Sequence, residues 1–257
     1  VVSRAWRALD AEIGHWRQAG RTVDFWWRDD DAAALDAALA RLLALAERAH
    51  VPLALAVVAE TADPQLLAGL GPGVAVLQHG ADHRNRAAPG QKKSEFPGSE
   101  PAAAAMGRLA AARERLSALA GRRWVAALAP PWNRLHPGLV PLLPGAGFRG
   151  LSRYGARDAA AAADGLRQVN THVDIVDWRG TRGFAGEEPV LQRAVDHLEA
   201  KRSGRADPAE PTGWLTHHAR HDEAAWRFLE RLFESTSAAP GVRWRAAEEL
   251  FPDPSAH

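Results

Sequence analysis

Five places in this chain set carboxylate, imidazole or amide side chains directly after an apolar run. Asp29, Asp30 and Asp31 close the stretch VDFWWRDDD, and the segment HGADHRN follows with His79, His83 and Asn85. APPWN at 129–133, DIVDW at 174–178 and HHARHD at 217–222 complete the set. The spacing of His79 and His83, four residues apart, puts both imidazoles on one side of a helical turn, where they can share one ion. An HxxxH pair is a weak signal alone. Beside an acidic cluster on a neighbouring strand it describes an Asp/His/His site with positions left open for water and substrate, the way catalytic metals are held. Three adjacent carboxylates repel one another, and a divalent cation would neutralise part of that charge. With no cysteine in the chain, any metal must be held by His, Asp or Glu.

The elements that position these groups alternate between short apolar runs and helical patterns. Candidate strands are Thr22–Trp27, Leu53–Ala59, Val74–Gln78, Trp124–Leu128, Phe148–Leu151, Val173–Trp178 and Trp214–Thr216, and the main helices are Ala33–Ala49, Ala102–Ala120, Pro189–Arg202 and Glu223–Ser235. Such alternation predicts βαβ units and a mainly parallel sheet, in which the loops after each strand converge on one mouth. The Ala-rich tract at 159–164 reads as helix filler, and 84–101 and 203–213 read as long loops that could be lids, binding loops or plain insertions. Residues 1–257 are expected to form one domain.

Hydrophobic residues at 46% and charged residues at 25% fit a soluble globular core rather than disorder. A net charge of +1, with no Lys/Arg stripe interleaved with aromatics, argues against a nucleic-acid partner. No apolar run approaches the roughly 18 residues of a membrane span, and the opening VVSRAWRALDAEIGHW reads as an amphipathic helix. A cytoplasmic location is the resulting expectation.

In order and type, the motifs resemble those of the polysaccharide deacetylases, the NodB-like carbohydrate esterases of family 4. The counterparts are RDDD at 28–31, HGADH at 79–83, APP at 129–131, DIVDW at 174–178 and LTH at 215–217. The resemblance implies a distorted (β/α) barrel of about seven mainly parallel strands. It also implies one divalent metal, zinc first and then cobalt, nickel, manganese or iron, bound by Asp30, His79 and His83. Asp29 would be the general base and His217 the general acid for removal of an N-acetyl or other N-acyl group from an amino sugar or glycan intermediate. A one-residue shift in the Asp run would instead make Asp30 the base and Asp31 the ligand. Asp31 also suits the N-cap of the following helix.

One departure from the family pattern stands out. Ala129 occupies the place where the family has the arginine that orients the base, with Arg28, Arg134 or Arg153 as replacements. Asn85, Pro131, Trp132, Asp174, Asp177 and Trp178 are the expected substrate contacts, the indoles suiting the apolar faces of sugar rings. His218 and His221 are either outward-facing or the source of a fourth ligand. Two other readings follow from the missing arginine: a non-catalytic carbohydrate-binding module on the same scaffold, and a related deformylase or cyclic amidase. A purely structural metal site is a third, weaker reading, because such sites are usually closed by four protein ligands.

Overall fold

The computed structural model describes residues 3–252. Helix α1 (Arg4–Gln18) leads into strand β1 (Val23–Ala32), followed by α2 (Ala37–Ala49), β2 (Leu53–Val57), α3 (Pro64–Ala68), β3 (Val74–Gln78), α4 (Ala102–Ala120) and β4 (Trp124–Leu128). Four short strands come next, β5 (Gly150–Leu151), β6 (Ala161–Ala163), β7 (Leu166–Gln168) and β8 (Val173–Asp174). The chain ends with α5 (Glu187–Arg202), β9 (Thr212–Thr216), α6 (Glu223–Thr236), β10 (Val242–Trp244) and α7 (Ala247–Leu250). No described helix is long and apolar enough to cross a membrane.

The sheet is mainly parallel and curled, in the order β6-β7-β5-β4-β3-β2-β1-β9-β8, with β10 added beside β1. The extended run holding β7 and β8 pairs with β5 near its start and with β9 at its end, and β9 pairs with β1. The sheet thereby comes round on itself as a distorted barrel. Its interior is lined largely by small residues, Ala54, Ala56, Ala75, Ala127 and Ala129, and plugged by Trp26, Leu250 and Phe251. Gly150 is required there, because a Cβ would overlap the Phe251 ring and the Ala127 methyl. Leu, Val and aromatic side chains on the other face pack against the helices.

Strand β1 decides where the acidic run goes. It extends five residues beyond the predicted end at Trp27, carrying all three aspartates within the sheet. Side chains alternate along a strand. Phe25 and Trp27 accordingly pack into the helix-facing core and Trp26 into the barrel interior. The same alternation sends Asp29 to the outer face and Arg28 and Asp30 inward. Between Asp29 and Ala32 the pairing with β2 slips, and Asp31 takes a left-handed φ of 72°. Such a bulge re-aims a side chain, here out of the alternation and into the mouth.

Two expectations are corrected. The helix after β1 starts at Ala37, capped by Asp36, whose carboxylate accepts from the Leu39 N–H at 2.7 Å, so Asp31 is not its N-cap. The Ala-rich tract forms a strand rather than helix: β6 pairs antiparallel with β7 across Asp164-Gly165, with Gly165 at φ +69°. An Asp-Gly turn between short strands is a hairpin signal that outweighs the helix propensity of alanine over so short a length.

Candidate active site

The loops after the strands enclose a cavity of about 970 Å³ at the C-terminal end of the barrel. Of the expected site residues, it gathers Asp30, His79, His83, Asn85, Trp132, Asp174, Asp177, Trp178 and His217, together with Asp31. Asp29 and Pro131 do not line it.

Asp31, not Asp30, meets the two histidines. Its Oδ1 lies 3.1 Å from His79 Nε2 and 3.1 Å from His83 Nε2. All three donor atoms fall within 4.8 Å of one another. Ligand atoms about 2.0–2.2 Å from a common ion sit a little over 3 Å apart, so this spacing fits one first-row divalent cation with open positions. The His79 ring is already turned to face such an ion. Its Nδ1–H donates to the Ala129 carbonyl at 2.8 Å, which leaves the Nε2 lone pair directed at Asp31. Burial opposes ionisation of Asp31, but when protons on the two Nε2 atoms stand in place of an ion, hydrogen bonds from His79 and His83 hold its carboxyl well below the usual carboxylate range.

The histidine pair does not lie on a helical turn. Gly80 and His83 both have positive φ, 65° and 56°. The buried Glu95 carboxylate accepts from the N–H groups of Ala81, Asp82 and His83 at 2.8, 3.0 and 3.2 Å. Burial raises the Glu95 pKa, and these N–H groups oppose that rise. A Cβ at Gly80 would overlap the Glu95 carboxylate and the Pro131 ring. Pro131 therefore braces the 79–83 turn from outside the cavity. Glu95 comes from the 84–101 loop, where sequence periodicity carries no information.

Asp30 is held by Arg28, two residues earlier on the same strand face. The Arg28 Nε donates to Oδ1 at 2.8 Å and Nη2 donates to Oδ2 at 2.9 Å. The remaining guanidinium N–H groups reach the Ser152 carbonyl and hydroxyl and the Asn133 side-chain oxygen at 3.1, 2.6 and 2.8 Å. Both charges are almost wholly buried, yet every guanidinium N–H is hydrogen-bonded and each carboxylate oxygen accepts one bond from the fork, the condition under which a buried pair is tolerated. Arg28 thus takes the orienting place for which Arg134 and Arg153 were the other candidates.

Asp29 serves elsewhere. On the outer face of β1 it accepts from the Thr216 hydroxyl at 2.7 Å, from the His218 backbone N–H at 3.0 Å and from His218 Nδ1 at 2.5 Å. Burial works against both charges, but each partner outweighs it for the other, lowering the Asp29 pKa and raising that of His218. The pair anchors the segment after β9 and leaves His217, one residue earlier, facing the cavity. The Trp178 ring meets His217 edge-on, 4.7 Å between centroids, while its Nε1 donates to Asp174 at 2.7 Å. Burial raises the Asp174 pKa. His221 packs edge-on against Trp226 and does not line the cavity, so it supplies no fourth ligand there, and burial lowers its pKa to about 4.

Backbone strain gathers at this mouth. Asp31, His83, Trp132, Asn133 and Arg182 all have positive φ and all line the cavity. Non-glycine residues avoid that region, and its use here marks a site whose side chains are placed at a cost of roughly 1–3 kcal/mol each. The Trp132 ring lies 4.5 Å from the His83 ring, tilted at 52°. The Asn85 side-chain oxygen accepts from the Ala87 and Ser94 N–H groups, closing the loop that carries Glu95.

A second group, His172, His197 and Glu210, also brings three donor atoms within 4.8 Å and by spacing could hold a metal ion. It lies at the opposite end of the barrel, where β9 begins. Its rings are stacked face to face, 3.6 Å apart at 15°, so their in-plane lone pairs run parallel instead of converging.

No family model matches the sequence, and no curated protein does. Solved structures do match over most of the chain. A probable polysaccharide deacetylase from Pseudomonas aeruginosa PAO1 is 18% identical with a TM-score of 0.61, covering 92% of this chain and 91% of its own. The Puue allantoinase is 13% identical with a TM-score of 0.63, over 89% and 88%. A family 4 acetyl xylan esterase from Clostridium thermocellum, in complex with a cobalt ion, is 12% identical with a TM-score of 0.52, over 89% and 90%. The chain has the NodB-like fold of the polysaccharide deacetylases.

Proposed function

We propose that this chain is a divergent member of the NodB-like deacetylases, a metal-dependent hydrolase that removes an N-acetyl or other N-acyl group from an amino sugar or glycan intermediate. The observation that carries the reading is the Asp31/His79/His83 set standing in one cavity with an arginine-clamped Asp30 and with His217. Asp31, His79 and His83 would hold the cation, zinc first and then cobalt, nickel, manganese or iron. The chemistry such an ion supplies is a lowered pKa for coordinated water and polarisation of the amide carbonyl.

The chain's own residues divide the remaining work. Asp30 accepts a proton from the attacking water at its carboxylate, and the Arg28 fork fixes that carboxylate in direction. An imidazole nitrogen of His217 delivers a proton to the leaving nitrogen. Trp178 restricts the His217 ring by edge contact, and Trp132 and Trp178 offer flat apolar faces to a sugar ring. The carboxylate and guanidinium needed for the base are both present and paired, which weighs against a non-catalytic module.

The test is acetate release from N-acetyl amino sugars by metal-loaded protein, beside formate release from N-formyl sugars and opening of allantoin. Acyl release from a sugar that disappears in Asp30→Asn supports the reading. Opening of the cyclic amide without sugar deacylation would replace it with a cyclic amidase.

A further inference from the structure

The cavity is lined by six cations, Lys93, Arg134, Arg179, Arg182, Arg193 and Arg220, against four carboxylates, Asp30, Asp31, Asp174 and Asp177. The carboxylates are already engaged. Asp30 is clamped by Arg28, Asp31 lies against the two histidines, Asp174 accepts from Trp178 Nε1 and the Val176 N–H, and Asp177 accepts from the N–H groups of Arg179, Gly180 and Thr181. Among the described residues, no carboxylate lies within 4.0 Å of any of the six cations. Arg134 and Arg193 donate only to backbone carbonyls, of Lys93 and Asp174.

Three of these cations share the cavity with the proposed acid and lie near it or near its ring contact Trp178 in sequence. Arg179 and Arg182 follow Trp178 on a tight loop that Asp177 fastens by three backbone N–H groups, and Arg182 is held at φ 59°. Arg220 follows three residues after His217. Unpaired guanidinium groups converging on a cavity repel one another unless an anion joins them, and their planar forks match phosphate oxygens. Several cations exceed what one carboxylate needs.

We infer that the substrate carries a phosphate or diphosphate, bound by Arg179, Arg182 and Arg220 on the side of the leaving amine. This deepens the deacylase reading and rests on it for the identity of the amine. The substrate is accordingly a phosphorylated or diphosphate-linked N-acyl amino sugar rather than a finished neutral polymer.

The test measures binding by calorimetry on metal-loaded protein, with ligands whose amino sugar carries no N-acyl group: glucosamine 1-phosphate, uridine diphosphate glucosamine, glucosamine, and muramic acid as the carboxylate-bearing comparison. We expect a phosphorylated ligand to bind at least tenfold tighter than glucosamine or muramic acid. That preference should be lost in Arg179→Gln/Arg182→Gln, with metal content and Tm unchanged. The stronger of the two phosphorylated ligands identifies a monophosphate or a diphosphate-linked source. Equal binding of glucosamine, equal binding of muramic acid, or an unchanged preference in the double variant each overturns the inference. Because these ligands cannot be deacylated, a protein that binds them selectively yet releases no acyl group would sink the hydrolase reading and leave the anion site standing.

Discussion

The two ends of the barrel each carry two histidines and a carboxylate, and only their geometry separates them. At the mouth, His79 and His83 turn their Nε2 atoms onto one oxygen of Asp31, and the cavity leaves room for further ligands. At the base, His172 and His197 lie stacked and buried. His172 Nδ1 accepts the Gly213 N–H at 3.0 Å, so in the neutral ring its Nε2 carries the proton and has no lone pair for an ion. Glu210, 3.3 Å from that nitrogen, already accepts from the backbone N–H groups of Arg157 and Asn170. Lys201 is buried beside the group, its pKa lowered to about 8 chiefly by desolvation. The lesson is that residue types and separations nominate a metal centre, while lone-pair direction and neighbouring charge decide it.

Substitutions at the two ends should therefore diverge. His79→Ala is expected to abolish metal binding and to lower acyl release by roughly 10³-fold, whereas His197→Ala should leave metal stoichiometry intact and cost about 1–3 kcal/mol of stability. Elemental analysis and urea unfolding of both variants check this, and equal metal loss in the two would erase the distinction. Next in size, Asp30→Asn should keep the metal and lower kcat by roughly 10²–10⁴-fold. Arg28→Lys, which keeps the charge but not the fork, should cost about 10–100-fold with the metal still bound. An Arg28→Lys enzyme of full activity would remove Arg28 from the orienting role.

The smallest effect separates the ends by pH. Burial, reinforced by His172 and Lys201, lowers the His197 pKa to about 2, and burial also lowers that of His172. Both rings are neutral in the folded protein, while the unfolded chain takes up protons below its ordinary histidine pKa near 6.5. Their contribution is therefore complete above about pH 6.5 and is lost progressively as pH falls below it. Asp29 with His218 behaves differently: His218, raised by Asp29, adds stability below its unfolded pKa that fades as pH rises above it. Replacing His197 by Phe should flatten the acid limb of a Tm–pH profile between pH 6.5 and 4, and an unchanged limb would show that this pair does not set it.

Much of the fold was legible because strand-helix alternation and the polar residues after each strand are periodic features. Val74–Gln78, Trp124–Leu128 and the helix at 102–120 fall at their expected bounds. The register of the aspartates was harder. The period-2 alternation that sends Trp27 outward sends Asp29 outward as well, and that signal was available in VDFWWRDDD. The bulge that returns Asp31 to the mouth was not, since it depends on pairing with β2. Glu95, Arg179 and Arg182 escaped for a related reason: they sit on loops whose shape is set by side-chain to backbone hydrogen bonds, as the contacts of Glu95 with residues 81–83 and of Asp177 with residues 179–181 show.

The central claim is that Asp31 holds the ion and Asp30 moves the proton. It is tested most directly by the metal content of Asp30→Asn and Asp31→Asn after identical zinc loading and desalting, measured by elemental mass spectrometry. The geometry predicts about one equivalent retained in Asp30→Asn and a loss of most of it in Asp31→Asn, with His79→Ala as the empty reference. Retention in Asp31→Asn together with loss in Asp30→Asn would contradict the account and move the ligand one residue back along the strand.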